Sequence, residues 1–345
     1  MNLSYFISKR ISRQEKGTFS STIHKVAVIT ITVGLGASIV SFLIMGGFQS
    51  TVKNKIYNFS SHILIRHVAS SSMLEERPFY FNNVDLIKHP EKYPMVKHVQ
   101  EYAHKPGIIK TKDELMGIAF KGVGKSFDVE SFKENLLEGE FIHLEDSATS
   151  PEVVLSKTIA DKVGAKLGDD IIIHFFQNPP RFRKLKVVGI YETNLTEYYD
   201  SKVIIGDMKL VQRLNDWADS VAGGLEVFID FNKFDRSELF SNYMHNVTDY
   251  IWSTDMSWFD KVGETYNAWS DYDFEEVALQ QTCDYIDTET DYDQQATPAT
   301  ETFDAVFQWL HLIARQVVIL LVIILIVVCV NMISVVIILV MERTQ

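Results

Sequence analysis

The stretch Ala119-Phe-Lys-Gly-Val-Gly-Lys-Ser126 ends in Gly-Lys-Ser behind a predicted strand, Glu114 to Val123, and that ending is the tail of a phosphate-cradling loop. In such a loop the backbone N–H groups and the Lys ammonium surround nucleotide phosphates, and the hydroxyl reaches magnesium. Position 119 is Ala where the strict spacing needs Gly, and Leu225-Glu-Val-Phe-Ile-Asp230 is only a passable magnesium-binding strand. Other chemistry is thinner still. No Gly-x-Ser-x-Gly nucleophile elbow occurs. The only cysteines are Cys283 and Cys329, the second inside an oily run, so neither an internal disulfide nor a thiolate metal site is expected. The ten histidines form no i, i+4 pair, and no metal centre is assigned. Asn58-Phe-Ser60, Asn194-Leu-Thr196 and Asn246-Val-Thr248 match the glycosylation triplet, which matters only in a eukaryotic secretory pathway. The chain reads as non-enzymatic, with no catalytic residue and no cofactor.

The elements that must position any site begin with two oily runs. Residues 26–52 and 317–341 contain no Asp, Glu, Lys or Arg. A helix rises about 1.5 Å per residue and the hydrocarbon core is about 30 Å thick, so each run is long enough to cross a bilayer. The second is almost pure Val, Ile and Leu. The first carries Gly34, Ala37, Ser38 and Ser41 as two small-xxx-small pairs, which let another helix approach closely, either the chain's own second span or that of another subunit. A cleaved leader is not expected, because the first run is too long and Phe48-Gln-Ser-Thr-Val-Lys-Asn-Lys55 offers no small-x-small site. Lys9, Arg10, Arg13, Lys16 and Lys25 precede the first span, against Lys53 and Lys55 after it, which places the N-terminus in the cytoplasm and the residues between the spans outside. Nearly all the excess acid of this net −12 chain lies between the spans, which argues against nucleic acid and against anionic lipid as partners.

The predicted fold class is an α+β extracytoplasmic domain inserted between two transmembrane α-helices. The expected organisation is a cytoplasmic N-terminal helix at 1–25, a first span at 26–52, the outer domain at 53–308, a second span at 309–341 and the start of a coupling element at 342–345. Strands are predicted at His62 to Arg66 and Glu114 to Val123, and a helix over Phe127 to Leu137. The clearest unit is strand Glu152 to Leu155, Ser156 as N-cap, a helix through Lys162, Gly164 at its end and strand Asp170 to Phe176. Asn178-Pro-Pro-Arg181 makes a turn and Lys184 to Tyr191 returns antiparallel. Asp207 to Leu214 reads as a helix, Leu225 to Phe231 as a strand and Asp235 to His245 as an Asp-capped helix. From about 253 to 300 acids accumulate against the single Lys261, with Trp252, Trp258, Tyr266, Trp269, Tyr272 and Tyr292 interleaved. A solvated acidic insertion is the plainer reading of that stretch, and a docking surface the sharper one.

Asn331-Met-Ile-Ser-Val-Val-Ile-Ile-Leu-Val-Met-Glu-Arg-Thr344 resembles the second membrane helix of FtsX-like ABC transporter permeases with a MacB-type periplasmic core domain, especially the lipoprotein-releasing LolC/LolE branch. Phe303-Asp-Ala-Val-Phe-Gln-Trp-Leu310 is similar to that family's approach to the same helix. Further matches are Phe120-Lys-Gly-Val123, read as the family's Lys-Gly-Val turn, Gly139-Glu-Phe141, the Val153 to Asp169 unit and Val188-Gly-Ile-Tyr191 followed by Asp200. Tyr5-Phe-Ile-Ser-Lys-Arg10 and Met45-Gly-Gly-Phe48 fit the cytoplasmic helix and the end of the first span. The stretch from 253 to 300 has no counterpart in the pattern, and members continue through a coupling helix and two more spans, so the chain reads as an N-terminal half.

The resemblance implies a bacterial inner-membrane permease that works mechanically. A partner ABC ATPase closes on ATP, a second permease subunit completes a homo- or heterodimer, and a lipoprotein or another hydrophobic substrate is expelled outward. A periplasmic chaperone is a further implied partner. Glu342, Arg343 and Thr344 would begin the coupling element, and Ile44, Met45 and Phe48 would face the substrate cavity. The alternative is an FtsX-type homologue that transports nothing and regulates a cell-wall hydrolase through its outer domain. The topology has a direct test: alkaline phosphatase joined after Gly139 should be active, and the same enzyme joined after Thr344 should be inactive.

Overall fold

The computed structural model describes residues 19–70, 76–110, 115–145, 148–193, 195 and 199–344. Tyr5 to Arg10 and the basic residues before Phe19, Glu114, Asn194, Thr196 and Gln345 lie outside the described residues. The chain divides into two compact units, one of residues 1–53 and 305–345, the other of 54–304.

In chain order the elements are helix α1 (Phe19–Ser60), strands β1 (Ile63–His67) and β2 (Phe79–Tyr80), helix α2 (Asp85–Lys88), strands β3 (Val96–Lys110) and β4 (Leu115–Val123), helix α3 (Val129–Lys133) and strands β5 (Leu136–Gly139) and β6 (Glu152–Ser156). There follow helix α4 (Lys157–Val163), strands β7 (Asp170–Phe175), β8 (Arg181–Tyr191) and β9 (Val203–Asp207), helix α5 (Met208–Asn215), and strands β10 (Val221–Ala222) and β11 (Gly224–Ile229). The chain continues with helices α6 (Arg236–Ser253), α7 (Trp258–Ser270) and α8 (Phe274–Glu289), strand β12 (Gln294–Pro298) and helices α9 (Ala299–Thr302) and α10 (Asp304–Thr344).

The first unit holds α1 up to Lys53 and α10 from Ala305. Both helices contain stretches long and apolar enough to span a membrane, Val28–Ser60 and Asp304–Ser334, and the most apolar part of each is almost entirely uncovered by protein. Leu43, Ile44, Ile319 and Ile333 are more than half exposed. Surface of that kind is stable only against lipid, so α1 and α10 are membrane helices rather than the core helices of a water-soluble protein.

The second unit is the α+β domain. Its sheet has ten strands in the order β12-β1-β11-β3-β4-β9-β6-β8-β5, and β7 pairs with both β3 and β8. That double pairing closes β3, β4, β9, β6, β8 and β7 into a ring, while β11, β1 and β12 extend from the outer half of β3. Only β4 with β9 and β6 with β8 run parallel among the described pairs. Period-two alternation sends Ile118 and Phe120 of β4, Ile171, Ile173 and Phe175 of β7, and Leu185 and Val187 of β8 into one buried cluster. Met208, Val211 and Leu214 of α5 close it from one side.

The Ser156 unit forms as its residues dictate. The Ser156 hydroxyl accepts from the Ile159 amide at 3.1 Å, and Gly164 ends α4 in the left-handed region at φ +67°. Asp207 and Asp235 likewise cap α5 and α6. Three expectations change. The helix predicted over Phe127 to Leu137 is only α3, because Leu136 to Gly139 pairs with β8 as an edge strand. Lys121-Gly-Val123 is no turn: it is the last part of β4, with Lys121 opposite Ile205 and Val123 opposite Asp207 of β9. The acidic stretch from 253 to 300 is not solvated along its length, since Ala278, Leu279, Cys283 and Ile286 make a buried stripe on α8, and β12 pairs with β1.

Gly139 is held at φ +80°, and any Cβ there would run into the Val188 carbonyl. Gly139→Ala should therefore cost roughly 3 kcal/mol, read as the urea midpoint of tryptophan fluorescence on the whole chain in detergent. Gly117→Ala, on β4 with nothing within 4 Å, should shift the same midpoint by less than about 1 kcal/mol.

Candidate functional site

Among the described residues no group of three or more His, Cys, Asp or Glu is placed to hold a metal ion. The Gly124-Lys-Ser126 turn follows β4 as the motif requires, but its cradle is filled by protein. The Ser126 hydroxyl donates to the Glu101 carboxylate, and a side chain at Gly124 would overlap that same carboxylate. The His98 ring bonds the Ser126 carbonyl at 2.6 Å. The cavity beside the turn, about 240 Å³, is lined by Glu101, Glu145, Asp207 and Asp219 against Lys125 and Lys209. Carboxylates in excess of ammonium groups repel a polyphosphate, and the helix that should start at the turn is replaced by the short α3, capped by Asp128. Nothing in this geometry cradles nucleotide.

The site that stands out is polar and buried, under the last turn of α1. Lys121 on β4 and Glu226 on β11 are each 3% exposed, and the Lys121 ammonium donates to Glu226 Oε1 at 2.5 Å. Gln100 on β3 lies between them in sheet order: its amide donates to Glu226 Oε2 at 2.7 Å, and its carbonyl oxygen accepts from the Asp128 amide at 2.9 Å. Both Glu226 oxygens are thereby paired, as a carboxylate in a protein interior must be. The ammonium also sits 5.7 Å from the Phe59 ring centroid and 5.6 Å from that of Tyr102, within cation–π range.

Phe59 is the apolar centre of this arrangement. It meets Tyr199 edge-on at 4.3 Å and stacks on Tyr191 at 5.6 Å, while Phe132 of α3 packs on Tyr191. Burial pushes the Tyr102, Tyr191 and Tyr199 hydroxyls well above the ordinary tyrosine range, so all three stay protonated. The Tyr191 hydroxyl donates to the Val203 carbonyl at 2.8 Å, and Tyr199 hydrogen-bonds with Ser60. Beside them His62 stacks on Tyr57 at 4.6 Å and accepts from the Ile229 amide at Nδ1. Burial, with a smaller push from Lys97, lowers its pKa to about 4, so the ring is neutral at ordinary pH. Tyr57, Phe59 and Ser60 at the end of α1 are thus held by the His62, Tyr191 and Tyr199 rings, the Lys121 ammonium of β4 and the Tyr199–Ser60 hydrogen bond. The arrangement fixes the end of a helix against a sheet.

The residues proposed from sequence fall mostly in the first unit. Gly34 of α1 faces α10, where an added Cβ would come within 3.2 Å of Val328 Cγ2, so this small residue packs against the chain's own second helix. Ser38 and Ser41 are partly covered, the Ser38 hydroxyl donating back to the Gly34 carbonyl at 2.9 Å, and Ala37 is exposed. Phe48 meets Trp309 edge-on at 5.9 Å, and the Gln49 amide reaches the Leu310 carbonyl at 3.5 Å, so the two helices run antiparallel. Met45 is buried and Ile44 exposed. α10 carries Glu342, Arg343 and Thr344 in helix, and their side chains lie outside the described set. Sequence reasoning missed the Lys121, Glu226 and Gln100 cluster. A Lys in the apolar run Ile118-Ala-Phe-Lys-Gly-Val123 was the available signal, because a strand so apolar leaves the ammonium nowhere to go but inside.

The family model of the MacB-like periplasmic core domain matches residues 26–239. The lipoprotein-releasing system transmembrane protein LolC of Buchnera aphidicola subsp. Schizaphis graminum is 24% identical over 209 residues, covering 57% of this chain and 48% of the relative. LolC of Neisseria meningitidis serogroup B is 22% identical over 240 residues, covering 62% and 52%. The chain spans about half the length of the curated relatives it matches. Among solved structures, the periplasmic region of MacB from Actinobacillus actinomycetemcomitans aligns with TM-score 0.38 at 12% identity, over 71% of this chain and 91% of that one. The extracellular domain of the noncanonic ABC-type transporter YknZ from Gram-positive bacteria aligns with TM-score 0.36 at 13% identity, over 68% and 98%.

The buried pair has a measurable signature. Lys121→Met strands the Glu226 carboxylate and should cost about 3–5 kcal/mol in denaturant unfolding of the whole chain in detergent. Adding Glu226→Gln to that variant should recover more than half of the loss, because no uncompensated charge is then buried.

Proposed function

The chain belongs to the family of the MacB-like periplasmic core domain, and on that premise we propose that it is a permease subunit of an ABC transporter, set in the bacterial inner membrane with its α+β domain in the periplasm. A cytoplasmic ABC ATPase supplies the energy, a second permease subunit completes the pathway, and a lipoprotein or another hydrophobic substrate is released outward. The observation that carries the reading is mechanical. Within the α+β unit the last residues of α1, Asn54 to Ser60, are held by the Lys121–Glu226 cluster and the Phe59 rings. A helix is stiff along its axis, and a buried ion pair resists rearrangement, which suits a part that transmits displacement rather than one that makes or breaks bonds.

The cargo comes from the relatives, which are named for lipoprotein release. Ile44, Met45 and Phe48 are proposed as lining for the hydrophobic substrate, and Glu342, Arg343 and Thr344 as the start of the coupling element, since a charged pair directly after an uncharged run belongs at the membrane interface.

In proteoliposomes containing the complete transporter and its ATPase, Glu342→Ala/Arg343→Ala should keep ATP hydrolysis and release a model lipoprotein at roughly a tenth of the normal rate or less. Normal release per ATP would reduce the two residues to interfacial anchors. No lipoprotein release by the unsubstituted transporter, together with ATP-dependent activation of an added cell-wall hydrolase, would assign the chain to the regulatory alternative.

A further inference from the structure

The chain passes between its two units at two places, from Lys53 to Asn54 in α1 and from Asp304 to Ala305 in α10. Inside the α+β unit the residues next to these two places are fastened to each other. β1 follows on α1, β12 leads through α9 into α10, and the two strands pair antiparallel with Ile63 opposite Pro298. The first residue of one strand thus faces the last of the other, so their helix-bearing ends are flush. One more bond carries the ladder beyond the strands: the Ala299 amide donates to the His62 carbonyl at 2.9 Å. The His62 amide in turn donates to the Val227 carbonyl of β11 at 3.0 Å, which ties the junction into the main sheet.

Two buried side chains close this corner. Ser61 is 0% exposed and sits in the left-handed region at φ +65°, a conformation that costs any residue with a Cβ and persists only where its surroundings fix it. Its hydroxyl donates to the Ile63 carbonyl at 2.9 Å. Tyr199 is buried between the two connections: its ring meets Phe59 of α1 edge-on at 4.3 Å and Phe303, the residue before α10, at 5.9 Å, and it hydrogen-bonds with Ser60. Its backbone is anchored as well. The neighbouring Asp200 carboxylate accepts from the Thr193 amide at 3.0 Å and hydroxyl at 2.8 Å, and the Asp200 carbonyl accepts from the Ser156 hydroxyl. Parting residues 54–60 from residues 299–304 would break a strand pair, uncover the Phe59, Tyr199 and Phe303 rings and orphan buried polar groups, all in one step. We propose that β1, β12 and Tyr199 form a clasp that holds both connections as one rigid piece and stays shut while the protein works, so that the α+β unit displaces the ends of α1 and α10 together and not against each other. The clasp belongs to the α+β unit alone, and only its consequence for transport rests on the permease reading.

Hydrogen exchange of the unsubstituted whole chain in detergent, read by mass spectrometry, tests the clasp directly. Peptides covering 54–66 and 294–304 should open with one free energy and one urea dependence, as a single cooperative unit. Separate urea dependences would overturn the proposal. Tyr199→Leu should speed exchange in both peptides by the same factor, roughly tenfold or more, and acceleration confined to one of them would count equally against it. In the complete transporter with its ATPase, Ile65→Cys/Ala296→Cys puts one thiol on each strand at a facing pair. Release per ATP with the disulfide formed should stay within about twofold of the reduced form, because a clasp that never opens loses nothing by being locked. A loss on oxidation that a reductant reverses would show that β1 and β12 part during the cycle, and the proposal would fall. Absence of release from the unsubstituted transporter would instead count against the permease reading, and the exchange result would then decide the clasp by itself.

Discussion

An ammonium group that is 3% exposed cannot stand alone in a protein interior, and the requirement to neutralise Lys121 organises the centre of the outer domain. Glu226 supplies the charge from β11, and Gln100 on the intervening β3 satisfies its second oxygen. Three neighbouring strands are thereby held in one register by side chains as well as by their ladders. The same ammonium faces Phe59 and Tyr102, so the pair that ties the strands also receives the end of α1. Ion pairs of this kind add little net stability over an apolar substitute but make partial disassembly costly. That asymmetry favours a domain that moves as one body.

The sheet solves a second problem around that centre. β3 is long enough, from Val96 to Lys110, to carry β11 on its first half and β7 on its second along the same edge. Its far half enters a closed ring of six strands with no free edges inside it, and its near half extends the sheet through β11 and β1 to β12. The ring encloses the Phe120, Ile173 and Val187 cluster. α5 lies so close over β4 that a Cβ on Gly122 would sit 2.7 Å from Met208 Cα. The glycine of Lys121-Gly-Val123 is needed for that approach, which explains the motif without any phosphate.

The first unit obeys a different solvent. Its apolar side chains are mostly uncovered, and the few that pack do so where α1 presents Gly34 or Phe48 to α10. In lipid, close packing and hydrogen bonds rather than burial from water hold helices together, which accounts for the small residues of α1 and for the back-bonded Ser38. The second helix has no such residues along most of its length and is apolar all round, suited to several neighbours or to lipid alone.

What the sequence determined by itself was local or compositional. The two uncharged runs imply membrane helices because their length matches the bilayer, and the Ser156 to Gly164 unit was legible because a cap and a left-handed glycine bind residues three or four apart. Family membership was legible through the order of short motifs. β3, β9 and β12 were not: Pro106 and Gly107 interrupt β3, the apolar run of β9 has no alternation to mark it, and Gln294-Gln-Ala-Thr-Pro298 becomes a strand only because β1 offers it an edge. Only the tertiary structure decided that Lys121, which looked like part of a turn, pairs with Glu226 at a separation of 105 residues, and that Glu101 fills the Gly-Lys-Ser loop. It also decided that α7 turns Lys261, Thr265 and Ala268 toward α6 and leaves its aromatic rings outside. The reason is the same in each case: a charge or a ring finds its partner across the fold, and the spacing of residues along the chain carries no record of which one.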